Sequence, residues 1–406
     1  MINESITSMI QRLCPDGVEY RPIKDIYTRL KGTPITASRM KEIADDSGDI
    51  IVVAGGKNII RAKRSDLPHG NIIEVPSVLV QSRGIIDVVY SEEPFTFKNE
   101  MWAYTSDDRD SVKYLYYIMK KNIQTFRDAA SGMGSLPQIS LKVTEDYIIP
   151  YPPIEIQREI VRILDTFTSL TAELTAELSL RKKQYEFYLD KLLCFDHLIL
   201  EEGERERTRV RWIELGKLFN LKNGYTPSKN NPHYWNGIIP WFRMEDLRLN
   251  GSILSDSILK ISEDAIKNVP FPENSIIVAT SATIGEHALI TVPFTCNQRF
   301  TCMILKNEYK ELYNPLFLYY YTFILDKWCI SNTKQSSFPS VDMKRFKQFK
   351  YPLIPLDEQN RIVSRLDAFH HLCNNLCTGI PAEIEARKKQ YEYYLNKLLS
   401  FDEVSS

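Results

Sequence analysis

With 406 residues, 43% hydrophobic and 25% charged, the chain can hold two or three domains with cores of their own, and it has no low-complexity tract. A formal net charge of −1 argues against a strongly basic nucleic-acid binder, and no apolar run reaches the roughly 18 residues of a membrane helix. Met1 to Leu13 lacks the layout of a signal peptide, and seven cysteines without paired spacing suit a reducing compartment, so the cytoplasm is the expected location.

Along the chain, the first half opens as α/β. Short β-rich runs at 49–53, 71–75 and 85–90 are bounded by Gly, Pro and Ser, and a helix is predicted near 111–129. Pro153 then sits at the mouth of a long helix. Ile160, Leu164, Phe167, Thr171, Leu174, Leu178, Arg181, Tyr185, Tyr188 and Leu192 fall at alternating spacings of four and three, a coiled-coil seam. From 154 to 194 that helix runs roughly 60 Å at about 1.5 Å per residue. A second α/β stretch follows, with β-rich runs at 238–242, 276–280, 288–291 and 300–305 and a helix at 315–328. The seam then returns with Leu366, Phe369, Cys373, Leu376 and Ile380, followed by Tyr391, Tyr394 and Leu398. Gly379 and Pro381 are expected to break it before a restart near Glu383.

The chain is written twice. Residues 181–195 return as 387–401 with twelve of fifteen positions identical; the changes are Phe187 to Tyr393, Asp190 to Asn396 and Cys194 to Ser400. Upstream, Pro137, Lys142, Pro150, Pro153, Gln157, Leu164, Asp165 and Phe167 match Pro339, Lys344, Pro352, Pro355, Gln359, Leu366, Asp367 and Phe369 at a constant offset of 202. The offset then becomes 206, which places four extra residues in the second copy near Gly379 to Pro381. Fainter echoes link Ser77 to Val80 with Ser275 to Val278, Pro94 to Thr96 with Pro293 to Thr295, and Gly32-Thr33-Pro34 with Gly224-Tyr225-Thr226-Pro227. Between these anchors little is shared. A long-period repeat of this kind means two copies of one unit with different surfaces. A lone amphipathic helix is not stable in water, and the obvious partner of each copy is the other.

These residues resemble the specificity subunit (HsdS) of type I restriction–modification systems, over essentially the whole length. The block Pro355-Leu356-Asp357-Glu358-Gln359 through Phe369 and the Arg-Lys-Lys-Gln-Tyr-Glu block carry the likeness, with Ile156 in the first copy where the family pattern has Glu. Trp212 to Gly216, Gly224 to Lys229 and Ile239-Pro240-Trp241 look like the framework of the second target-recognition domain. Tyr20 stands for the tryptophan of the first domain and Lys24 for the glycine. Thr171 to Leu174 followed by Thr175 to Leu178 resembles the tandem four-residue repeat of the type IC subfamily.

The resemblance implies an α/β fold of two globular target-recognition domains separated by two long antiparallel coiled-coil helices with pseudo-two-fold symmetry. The segments are 1–152 (first domain), 153–196 (central helix), 197–353 (second domain) and 354–406 (C-terminal helix). It also implies a non-catalytic subunit. Each variable domain would read one half of a split, asymmetric double-stranded DNA site. The helices would set the spacing and dock two methyltransferase subunits, which carry the S-adenosylmethionine, and two motor–nuclease subunits can join them. No cofactor, metal or membrane is expected for this chain itself. The other reading is a coiled-coil scaffold whose variable domains bind protein, which the near-neutral charge keeps open.

The residues agree with a division between reading and chemistry. An adenine methyltransferase would need an Asn/Asp-Pro-Pro-aromatic grip on a flipped base, whereas the only Pro-Pro is Pro152-Pro153. His370, His371, Cys373 and Cys377 have no counterpart cluster in the first copy and read as a core cysteine with exposed histidines. Candidate DNA contacts are Lys57 after a Gly-Gly turn and the basic turn Arg61, Lys63 and Arg64. In the second domain they are Lys229 and the cluster Lys344, Arg345 and Lys347. Arg83, Arg243, Gln298 and Arg299 could read base edges, since Arg suits guanine and Gln suits adenine. Arg181, Lys182, Gln184 and Tyr185, with their copies Arg387, Lys388, Gln390 and Tyr391, are the candidate partner-docking residues, although the tyrosines also suit the seam.

Overall fold

The computed structural model describes residues 2–55, 58–131, 136–195, 210–267, 269–334, 339–374 and 379–404, and the chain divides into two compact units. One consists of Met1–Ala172 with Ala386–Ser406, the other of Glu173–Glu385. The units are therefore not the sequential segments. Each combines one α/β domain with the near half of its own helix and the far half of the other copy's helix.

The first unit holds an antiparallel four-stranded sheet ordered Thr28–Lys31, Trp102–Thr105, Ser77–Gln81, Asp87–Ser91. Beside it lies a three-stranded sheet of Ile59–Ala62, Ile50–Val53 and Phe95–Phe97, the last pair parallel. Ser77–Gln81 is buried at every position, so it reads as a continuous apolar run rather than an alternating one. The run at 71–75 makes a single bridge, between Ile73 and Phe95. Pro76, which has no N–H to donate, follows it at once. The helix expected at 111–129 is two, Arg109–Lys121 and Ile123–Asp128, with Asn122 capping the first.

The second unit repeats this plan. Its main sheet runs Phe219–Asn223, Phe300–Leu305, Ser275–Ala279, His287–Ile290, with Ile253–Leu254 added at the edge. Its smaller sheet joins Lys260–Ile261, Ile239–Phe242 and Thr295–Cys296. A two-stranded clip closes each domain: Tyr20–Pro22 against Ile148–Pro150, and Arg211–Glu214 against Lys350–Leu353.

Both long helices form. The central arm is one 40-residue helix, Ile154–Leu193; the C-terminal arm consists of Leu356–Asn374 and Ile380–Leu398, with the restart at Ile380 and Pro381 in its first turn. Position N2 tolerates proline because its N–H would have no partner there. In the first unit Ile156, Ile160 and Leu164 share a core with Leu398 and Leu399 from the end of the chain, so the two helical pieces run antiparallel. In the second unit Tyr185, Leu189 and Leu193 share a core with Ile362, Val363 and Leu366, again antiparallel. Fully burying side chains of this size contributes roughly 1.5–3 kcal/mol each.

The two joints are built alike to the ångström. Phe167 stacks on Tyr394 at 5.1 Å and 20°, and its copy Phe369 stacks on Tyr188 at 5.1 Å and 22°. The Tyr117 hydroxyl donates to Asp165 at 2.5 Å, and the Tyr320 hydroxyl donates to Asp367 at 2.8 Å. Gln157 donates to the Pro152 carbonyl at 2.7 Å and Gln359 to the Ile354 carbonyl at 2.9 Å, each buried at the mouth of its helix.

One histidine departs from the sequence expectation. His370 is half-buried, ringed by Tyr185, Tyr319 and Tyr320, while His371 is exposed. Cys377 lies outside the described residues, as does the side chain of Cys373. Burial lowers the His370 pKa from its ordinary 6.5; Asp367 opposes the shift and His287 and His371 add to it. Below pH 6.5 the unfolded chain therefore takes up a proton that the folded one resists, so stability falls as pH drops from 6.5 toward the lower folded value. The thermal midpoint should drop between pH 7.5 and 5.5 and drop less in His370→Phe. Equal drops in the two proteins would remove His370 as the cause.

Candidate nucleic-acid interface

In each unit three backbone segments converge at one end of the small sheet. In the second unit these are the loop after Phe219–Asn223, the end of Ile239–Phe242, and the turn Asn297-Gln298-Arg299 that follows Thr295–Cys296. Gly224 lies so close to that turn that a Cβ would sit 2.1 Å from the Asn297 carbonyl oxygen. The Tyr225 amide donates to the Cys296 carbonyl at 2.8 Å, and the Asn297 amide donates to the Phe242 carbonyl at 3.0 Å. The Trp241 indole N–H donates to the Tyr225 carbonyl at 2.9 Å and that of Trp235 to the Ser228 carbonyl at 3.1 Å, the two rings meeting edge to face at 4.9 Å. The tryptophans thus hold the loop that exposes Lys229.

Arg243, the next residue after Phe242, is half-exposed and pairs with Glu245 at 2.5 Å, while its Nε is buried without a partner. The Thr226 hydroxyl donates to the Oε1 of Gln298, and Gln298 and Arg299 are exposed. Arg243, Gln298, Arg299 and Lys229 therefore share one rim. Ser281 and Ser340 complete it: Thr280 donates to the Arg299 carbonyl, and Val341 donates back to Thr280.

The first unit builds the same rim from different side chains. A Cβ on Gly32 would lie 2.3 Å from the Phe97 carbonyl oxygen, the Thr33 amide donates to that oxygen at 2.6 Å, and the Lys98 amide donates to the Val53 carbonyl at 3.1 Å. Exposed Arg83 bridges to Gln138, as Ser281 does to Ser340. Gly55 follows the end of Ile50–Val53, and Lys57 lies outside the described residues.

Gly84 and Ala282 occupy one equivalent position, and both have left-handed backbones, φ 77° and 65°. Their amides donate to Pro137 and Pro339 at 2.9 and 3.1 Å. The fold demands this geometry, and only one copy supplies glycine. A Cβ at Gly84 would meet nothing nearer than Leu136 at 3.6 Å, so the cost of alanine there is conformational. Ala282→Gly should stabilise the protein by about 1 kcal/mol and Gly84→Ala should cost about 1 kcal/mol, read from urea unfolding midpoints. A destabilised Ala282→Gly would contradict the shared requirement.

The other candidates lie elsewhere. Arg61, Lys63 and Arg64 sit at the end of Ile59–Ala62 remote from the rim. Each is exposed and engaged: Arg61 with Glu93 at 2.7 Å, Lys63 with Asp45 at 2.7 Å, and Arg64 with Glu74. The Lys63 ammonium, with Ser47, holds the Asp45 carboxyl well below its ordinary range. Such surface pairs are weak and exchange readily. Lys344 and Arg345 lie on the short helix Met343–Phe346, capped by Asp342. Lys347 follows it, its carbonyl accepting from Gly216 at 2.9 Å, which places it toward the domain's base.

The docking candidates divide in a similar way. Arg181 donates to Gln184 at 3.1 Å and its copy Arg387 donates to Gln390 at 2.9 Å. Lys182 and Lys388 are exposed, whereas Tyr185 is buried and Tyr391 half-buried in their cores. Two residues missed in the sequence stand out: Phe187 and Tyr393, equivalent to each other, are 60% and 57% exposed. Lys191 and Lys397, four residues on, lie over their rings at 6.0 and 5.5 Å. Their signal was an aromatic retained in both copies one position off the seam.

Residues 15–180 and 210–386 match the family model described as a type I restriction modification DNA specificity domain. The chain is 39% identical over 313 residues to the specificity subunit of the type I restriction enzyme EcoR124I/EcoR124II from Escherichia coli, covering 73% of this chain and 72% of that relative. It is 50% identical over 225 residues to the EcoprrI specificity subunit of Escherichia coli, a match spanning about half of either chain, 53% in each. Among solved structures, a type I restriction–modification S subunit from M. genitalium aligns with a TM-score of 0.61 at 16% identity, over 94% of this chain and 96% of that one. A chain from a structure on complex assembly and conformational transition of the type I R-M system aligns at 0.55 and 14% identity, over 95% and 98%. The solved structures share the fold; the family model and the curated relatives support DNA rather than protein as what the variable domains recognise, and the chain belongs to the type I restriction–modification DNA specificity family.

Proposed function

We propose that this chain is the sequence-reading subunit of a type I restriction–modification complex, in which each rim reads one half of a split, asymmetric DNA site. Recognition is its role, and methylation and cleavage belong to partner subunits. Two methyltransferase subunits, holding S-adenosylmethionine, dock on the twice-written helical faces; two motor–nuclease subunits complete the restricting form. Work on cellular DNA places the complex in the cytoplasm. Among the described residues no helix is long and apolar enough to cross a membrane.

The observation that carries this reading is the contrast between two kinds of surface. The rims share their backbone and differ in nearly every exposed side chain, whereas residues 181–195 and 387–401 repeat at twelve of fifteen positions, and the three exposed changes, Phe187 to Tyr393, Asp190 to Asn396 and Cys194 to Ser400, keep side-chain size and shape. Different rims suit two different half-sites, and equal faces suit two equal partners. The near-neutral chain charge means that phosphate attraction here is local, supplied by cations such as Lys229 and by partners. Hydroxyl-radical footprinting of the complex with its methyltransferase should show two protected tracts separated by an unprotected gap. A single continuous tract would defeat the two-rim reading.

A further inference from the structure

The turns at the centre of the two rims are equivalent in backbone and share one side-chain class. In the first unit Phe97 leads into Lys98-Asn99-Glu100-Met101, closed by the Met101 amide donating to the Lys98 carbonyl at 3.0 Å. In the second, Cys296 leads into Asn297-Gln298-Arg299-Phe300, closed by the Phe300 amide donating to the Asn297 carbonyl at 3.2 Å. The parallel pairings Val53 with Phe97 and Phe242 with Cys296 fix the correspondence. Asn99 and Gln298 occupy the same turn position, the second of four, and both are exposed.

A carboxamide there, twice, within rims that otherwise differ, has a chemical meaning. Its carbonyl accepts from adenine N6 while its amide donates to N7, a pairing that no other base edge offers in the major groove. The turns are also stiff enough to aim it. Gly32 and Gly224 press bare backbone against them, and the Thr226 hydroxyl donates to the Gln298 Oε1. An amide oxygen has two lone pairs, so Oε1 can accept from Thr226 and from a base together, and Thr226 fixes which end of the amide faces which way.

We propose that Asn99 and Gln298 are the adenine-reading side chains of the first and second units, each specifying one A·T pair in its own half-site. The residue after each then makes the two turns read different neighbours. Arg299 is exposed beside Gln298 and suits guanine, whereas Glu100, half-buried, is tied to Lys98 at 2.8 Å. The methylated adenine leaves the stack during reaction, so the A·T pair read here is a different one.

The assignment rests on the DNA-reading function proposed above, and one experiment separates the two. The purified complex with its methyltransferase is assayed on duplexes carrying its mapped motif and every single-pair variant. If the wild-type complex shows no sequence preference, the functional reading falls and this assignment with it. Given a wild-type preference, Asn99→Ala and Gln298→Ala should each slow methylation of the motif roughly 10- to 100-fold and erase discrimination at one A·T pair. That loss should lie in the first unit's half-site for Asn99 and the second's for Gln298. The isosteric Asn99→Asp and Gln298→Glu, which keep the turns, should do the same with unchanged melting. An unchanged motif and rate would overturn the assignment. So would uniform weakening on all sequences with a shallower salt dependence, the signature of a phosphate contact.

Discussion

Replacing Phe187 and Tyr393 together by glutamate is expected to abolish association with the methyltransferase while leaving the fold intact. Both rings lie more than half exposed on the outer face of a helix whose inner face supplies the core, through Leu189 and Leu193 for one and Leu398 and Leu399 for the other. Surface changes away from packing usually move stability by less than about 0.5 kcal/mol, so the melting temperature should hold. Partner affinity is another matter. Buried aromatic anchors at interfaces each contribute roughly 2 kcal/mol or more, and a carboxylate forced into the same pocket is left unpaired. Each single variant should lose more than about 30-fold at its own site and bind one partner instead of two. Native mass spectrometry of the mixtures should give two, one and no methyltransferase subunits for the wild type, the singles and the double. Two bound partners in the double variant would show that the outward rings are not the docking face.

Deleting Thr175 to Leu178 should shorten the gap within the recognised site and leave both half-sites as they are. The segment lies inside the unbroken central helix, with Leu178 on the half-buried side and Thr175, Ala176 and Glu177 exposed. Four residues turn a helix by about 400°, roughly 40° beyond a full turn, so the apolar side keeps nearly the same direction. The helix shortens by roughly 6 Å, against about 3.4 Å per base pair of DNA. The unread gap should contract by one or two base pairs with both half-sites unchanged. Deleting Ala176 and Glu177 alone turns the helix by about 200° and points the seam outward, so that variant should lose sequence-specific methylation altogether. If it keeps a shortened gap, helix phase does not matter and the spacer account fails.

Much of the architecture was legible because its signals are periodic or repeated. The seam through Ile160, Leu164 and Tyr188 predicted the central helix, and the offsets of 202 and 206 predicted which residues would be equivalent. The paired stacks Phe167 on Tyr394 and Phe369 on Tyr188 are those offsets made physical. The compact units were not legible, because a helix that leaves one core and enters another shows the same periodicity throughout. Nor were the partners of Arg61, Lys63 and Arg64, since Glu93, Asp45 and Glu74 are set beside them by strand pairing and loops rather than by local sequence. Of the rim, Arg243, Gln298 and Arg299 could be nominated by residue type. Asn99 was not nominated, although the echo of Pro94 to Thr96 in Pro293 to Thr295 sets it opposite Gln298, an equivalence that the strand register bears out.

The same register explains why the two copies tolerate different residues. The backbone of the rim is held by amide-to-carbonyl bonds such as Thr33 to Phe97 and Tyr225 to Cys296, which place no demand on the turn side chains once Gly32 and Gly224 allow the close approach. Side chains at the turn tips are thereby free to change without loss of the fold. Ala282 marks the limit of that freedom, where a left-handed residue persists without glycine.

The central claim, one chain carrying two readers at a set separation, is tested most directly by mapping methylated adenines across a genome in cells expressing this chain with its methyltransferase. The account predicts one asymmetric motif in two parts, with a gap of fixed length and indifferent sequence. A continuous motif, a symmetric one, or two parts at variable spacing would contradict it.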